Sequence, residues 1–154
     1  MNINILGAFA AVALLAACSS DPAATSGATA VSAGPVQGSQ EDLVANVGDR
    51  VFFDLNQSNL RSDARTTLER QAAWLTKWAQ NNVQVAGNCD ERGTQAFNIA
   101  LGNRRANAAR DFLVAKGVSA GRITMISYGK DRPTELGSNE QAWSRNRNAI
   151  TSIR

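Results

Sequence analysis

The chain has 154 residues, room for one ordinary domain and a short appendage but not for two domains. Hydrophobic residues make up 44% and charged residues 19%, which allows a packed core and excludes a disordered polyelectrolyte. Histidine is absent, so Ser-His-Asp and Cys-His catalytic sets and imidazole-based zinc sites cannot be built.

The two cysteines, Cys18 and Cys89, cannot make a four-thiolate metal site, and no cofactor is implied. Sixteen basic residues against thirteen acidic ones give a net charge of +3 without a basic block, so the scattered arginines read as a solvated surface, not a nucleic-acid patch.

Residues 3–17 form an apolar run that stops at Cys18. The run falls short of the ~20 apolar residues of a spanning helix and suits the h-region of an export signal. Its end, Leu15-Ala16-Ala17-Cys18, resembles a bacterial lipobox, in which the cysteine is lipidated and becomes the first mature residue. The n-region departs from the usual pattern in having no Lys or Arg. Ser19 is not the aspartate associated with inner-membrane retention, so the resemblance implies outer-membrane delivery in a Gram-negative envelope. Residues 18–42 then turn to Ala, Ser, Thr and Gly, a composition that cannot offset its ordering entropy and reads as a flexible tether.

From residue 43 to 154 the pattern is that of a folded domain. Val51-Phe52-Phe53 predicts a strand, and Ser62 predicts the N-cap of a helix that Asn81-Asn82 ends. Val83–Ala86 reads as a second strand, followed by the polar loop Gly87–Thr94. Thr94 caps a long helix to about Lys116, closed by Gly117. Ile123–Ser127 is a third strand, Trp143 sits on a short helical turn, and Asn146–Ile153 is the last strand. Trp74, Trp78 and Trp143 read as packing residues, and Cys89 as a partly buried thiol without a neighbouring base. The order β-α-β-α-β-β predicts an α/β (α+β) two-layer sandwich, a small mixed sheet with helices on one face.

The long helix carries one anomaly. At about 100° per residue from Phe97, the residues Leu101, Ala108 and Phe112 lie within ~60°, while Arg105 and Asn98 fall near ~80–100°, inside the apolar stripe. Gly102 leaves space beside them. A core-facing guanidinium needs a partner or a ligand. Asp90, in the loop between a strand end and a helix N-terminus, supplies a carboxylate where ligands of such sheets tend to bind. Two readings follow: Asp90 and Arg105 grip the ammonium and carboxylate of a zwitterion, or they pair with each other as a structural salt bridge.

The run Gly87-Asn88-Cys89-Asp90-Glu91-Arg92-Gly93-Thr94, with Phe97-Asn98, Ala100-Leu101-Gly102 and Arg104-Arg105-Ala106, resembles the OmpA-like peptidoglycan-binding domain family. Val51-Phe52-Phe53-Asp54, Ile126-Ser127-Tyr128-Gly129 and Leu136-Gly137-Ser138-Asn139-Glu140 extend the likeness over about residues 50–150, and the lipobox and tether match the lipoprotein branch of that family.

The resemblance implies non-catalytic binding of peptidoglycan through meso-diaminopimelate, with the key aspartate and arginine on Asp90 and Arg105 and the family asparagine on Asn98. Asp54 and Arg147 fall near the family's groove, with Gly93, Thr94 and Leu101 as further lining candidates. It also implies an outer-membrane anchor at Cys18, periplasmic partners TolB and TolA, other outer-membrane proteins, and a role in envelope constriction at cell division. Two positions depart from the pattern: Asn88 stands where many members have histidine, and Asn148 replaces the second arginine of the usual Asn-Arg-Arg. A lipoprotein of the same family outside the Tol system is the nearer alternative. A peptidoglycan hydrolase using Asp90, Glu91 and Asp54 is the remote one.

Overall fold

The computed structural model describes residues 34–154. The export signal over 1–17, the lipidation site Cys18 and the tether as far as residue 33 lie outside the described residues. No helix among the described residues is long and apolar enough to cross a membrane.

The chain enters through α1, a helical turn over Gln40–Asp42 that widens into a π turn over Leu43–Val47. There follow β1 (Arg50–Phe52), α2 (Ser62–Lys77), β2 (Val83–Asn88), α3 (Gln95–Ala115), β3 (Ile123–Gly129), α4 (Glu140–Asn146) and β4 (Asn148–Ile153). The four strands form one mixed sheet in the order β1-β4-β2-β3. β4 pairs antiparallel with both β1 and β2, and β2 pairs parallel with β3 across α3. The two-layer architecture expected from the sequence is therefore present, with α4 as a short extra helix before the last strand.

Strand periodicity decides which residues meet the helices. Val51, Val83, Val85 and Ala149 share one core with Ala64, Leu68, Ala72 and Leu75 of α2 and Ala106, Ala109 and Leu113 of α3. Buried Gln71 of α2 bridges to this face, donating to the Gly48 carbonyl at 2.7 Å and accepting from Thr151 Oγ1 at 2.9 Å. α3 lies close against β2 at a pair of glycines. A Cβ on Gly87 would stand 1.9 Å from the Gly102 carbonyl oxygen, and one on Gly102 would meet Ser127 Oγ at 2.2 Å.

Three local expectations change. Arg61, with extended backbone, is the N-cap of α2, Ser62 is its first helical residue, and the helix ends at Lys77, ahead of Asn81-Asn82. Domain order begins before residue 43: buried Asp42 accepts from Gly38 N–H and Trp74 Nε1 at 2.8 Å each, and Asn81 donates to the Gly38 carbonyl at 2.8 Å. These bonds fasten 38–42 onto α2 despite their tether-like composition. The buried face of α3 runs through Asn98, Leu101, Gly102, Arg105, Ala106, Ala109 and Leu113, whereas Phe97 is 41% exposed. The stripe is rotated away from Phe97 because the glycine contact, not the largest apolar side chain, sets how the helix seats.

Candidate functional site

The site is assembled at the carboxyl end of β2. The parallel register between β2 and β3 shifts after Gly87, and Cys89 N–H donates to the Gly129 carbonyl at 2.7 Å, so the chain leaves the sheet as a braced loop. Gly93 turns it with a φ of +91°, a conformation that costs glycine little. Thr94 Oγ1 then accepts from Phe97 N–H at 3.2 Å, the expected N-cap of α3. Asn98, buried, donates to the carbonyls of Arg92 at 2.8 Å and Thr94 at 3.1 Å. Its side chain orders the loop from beneath. Leu101 is buried one turn further on.

Asp90 and Arg105 are both buried, but no ion pair joins them. Arg105 is 0% exposed and donates to three main-chain carbonyls: Gln57 at 2.9 Å, Asn88 at 2.8 Å and Asp54 at 3.1 Å. Its guanidinium carbon also lies 5.2 Å from the Phe53 ring centroid. Arg105 is closed to solvent and makes no direct salt bridge to Asp90; carbonyl dipoles satisfy the charge and lash the 54–57 loop to the end of β2. Burial lowers the guanidinium's pKa from its ordinary value, opposed mainly by Cys89 and Asp90.

Asp90 finds other cations. Arg92 grips it with Nη2 to Oδ2 at 2.6 Å and Nε to Oδ1 at 3.2 Å, and Arg92 N–H adds 3.2 Å to Oδ1. Arg147, itself buried, approaches Oδ2 with Nη1 at 3.4 Å, donates to the Phe53 carbonyl at 3.1 Å and reaches Glu140 at 2.7 Å. Burial opposes the charge on Asp90, but the Arg92 side chain and N–H, with Arg147, outweigh it and hold the carboxyl below its ordinary range. Arg92 Nη2 lies 4.0 Å from Glu140, which closes a ring of alternating charge: Asp90, Arg92, Glu140, Arg147.

The remaining expected residues divide by role. The Asp54 carboxylate is exposed and bonds to Arg61 at 3.3 Å, so its contribution inside the site is its carbonyl. Asn88 and Asn148, the two departures from the family pattern, touch: Asn88 Nδ2 donates to Asn148 Oδ1 at 2.8 Å, and Asn148 donates to the Arg145 carbonyl at 2.6 Å. Asn148 acts as an uncharged strut between α4 and the sheet. Cys89 is a buried free thiol whose pKa is raised, first by burial.

Sequence reasoning missed Arg92, Glu140 and Trp143. Trp143 is half-buried, not core; it donates to Glu91 at 3.0 Å and lies 4.1 Å below the Arg92 guanidinium. The Asp90–Arg92 spacing was a usable signal, since an aspartate readily accepts from the N–H two residues on. Nothing local linked either residue to α4.

Two hollows flank the charged ring. One of about 410 Å³ is lined by Phe53, Arg61, Gln141 and Arg147 among others, and one of about 190 Å³ by Cys89, Glu91, Lys130 and Asn146 among others. A hollow of about 460 Å³ at the opposite end of the strands is lined by Asn82, Val83, Gly121, Arg122, Thr124 and Arg154 and has no acidic side chain. Among the described residues no group of three or more Cys, Asp or Glu is placed to hold a metal ion.

A model of the OmpA family matches residues 52–147. The peptidoglycan-associated lipoprotein of Mesorhizobium japonicum is 53% identical over 116 residues, 75% of this chain and 69% of that protein. That of Pasteurella multocida is 40% identical over 139 residues, 90% of this chain and 89% of its own. The crystal structure of the peptidoglycan-associated lipoprotein from Burkholderia pseudomallei superposes with a TM-score of 0.67 at 34% identity, over 69% of this chain and 90% of that one.

Proposed function

Because the chain belongs to the OmpA family, with peptidoglycan-associated lipoproteins as relatives, we propose that it holds the outer membrane to the cell wall by binding meso-diaminopimelate of stem peptides. The observation that carries this reading is a buried carboxylate, Asp90, paired with the guanidinium groups of Arg92 and Arg147 at the end of β2, with Arg105 buried nearby on the Asn88 carbonyl. The far end of diaminopimelate is a zwitterion, so it needs an anion and a cation held side by side in a dry site. Asp90 takes the ammonium. Arg147, already in contact with Asp90, takes the carboxylate, and buried Arg105, held by its three carbonyl bonds, adds positive charge beneath the site. Asn98, Gly93 and Thr94 keep the loop in shape, and Leu101 is buried one turn further along α3.

Binding is non-covalent and reversible, with no catalytic step. A lipid on Cys18 anchors the other end in the outer membrane, and the tether spans the gap. TolB, with TolA, engages the domain in the periplasm and couples this grip to envelope constriction at division. Co-sedimentation with purified sacculi tests the reading. The wild-type protein sediments; Asp90→Asn and Arg147→Met remain in the supernatant with a folded melting profile, and no muropeptide is released. Sedimentation of both variants like wild type would overturn it.

A further inference from the structure

Asp90 is not waiting empty. It is 5% exposed, and both its oxygens already hold Arg92 in a two-pronged ion pair. An incoming ammonium therefore meets a carboxylate whose charge is already matched. Of its two cationic partners, Arg147 is fixed: its side chain is 8% exposed and is tied to the Phe53 carbonyl and to Glu140. Arg92 is 35% exposed at the side chain and sits beside Gly93 on a loop. Arg92 also has partners that outlast a break with Asp90: its guanidinium carbon already lies 4.1 Å from the Trp143 ring centroid, and Glu140 lies 4.0 Å from its Nη2.

We propose that Arg92 is a built-in competitor for the ammonium position on Asp90, and that Glu140 and Trp143 of α4 receive its guanidinium when ligand displaces it. This rests on the reading of Asp90 as the ammonium site. The loop does not need the Arg92 side chain for its shape. The Arg92 main chain makes the bonds to Asp90 and Asn98, Lys130 holds the Gly93 carbonyl at 2.8 Å, and Thr94 caps the helix. The side chain thus sets affinity, keeping the grip weak enough to release.

Calorimetric titration of the full-length protein in detergent micelles with a meso-diaminopimelate muropeptide tests this. Arg92→Gln binds on the order of tenfold tighter than wild type, the scale of one charge-assisted hydrogen bond, while its melting temperature falls because Asp90 loses a partner. Arg92→Lys, a point charge without the fork, falls between them. Opposite signs for affinity and stability distinguish competition from a structural role, which would lower both. If Arg92→Gln binds no tighter while Asp90→Asn abolishes binding, the competitor is wrong and the site stands. If Asp90→Asn still binds, both fall.

Discussion

Arg105 shows how a charge is carried in the core. Its three carbonyl acceptors come from the 54–57 loop and from the end of β2, so one side chain joins segments far apart in sequence. Removing it leaves buried acceptors without donors, and Arg105→Met should cost on the order of 3 kcal/mol in a denaturant melt. Asp90 predicts a pH effect. Its folded pKa is depressed, so its stabilising contribution is complete above the unfolded carboxylate value of ~3.9 and is lost as pH falls through the lower folded value. Acid titration of stability should show a shallower fall for Asp90→Asn than for wild type. An unchanged acid limb would mean that the ring of charge is not felt by the fold.

At the scale of elements, the seating of α3 on β2 rests on Gly87 and Gly102. Gly87→Ala drives a methyl into the Gly102 carbonyl, a main-chain atom that cannot swing aside. Gly102→Ala meets first the Ser127 hydroxyl, which can turn away, and then the Gly87 carbonyl at 2.8 Å. Both should destabilise by about 1–3 kcal/mol or more, with Gly87→Ala the worse, and thermal melts of the two check the order.

Elements whose ends carry local chemistry were legible. Thr94 caps α3, and Gly117, with φ +98°, closes it. The start of α2 was not: Ser62 has cap chemistry, but Arg61, without a side-chain cap bond, occupies the cap. The inward position of Arg105 was readable from spacing alone. Its carbonyl partners, in the 54–57 loop and at the end of β2, were not, and neither was the way Arg147 reaches Asp90 while Glu140 and Trp143 of α4 meet Arg92, because each joins segments far apart in sequence.

On the proposed reading of the whole molecule, anchor, tether and domain divide the work. The domain's first fastenings, at Gly38, Ser39 and Asp42, mean that a chain beginning at residue 43 should melt several degrees below one beginning at residue 34. Equal melting would make those bonds incidental. Replacing Cys18 with serine should release the protein from the membrane fraction and leave sacculus binding intact.

The most direct measurement compares two muropeptides that differ only in the third stem residue, meso-diaminopimelate or lysine. Lysine keeps the ammonium that Asp90 would take and lacks the neighbouring carboxylate. The account predicts that calorimetry shows saturable binding of the diaminopimelate form and at least ~10-fold weaker binding of the lysine form, the loss of a charge-assisted pair. Equal affinity for the two would contradict it.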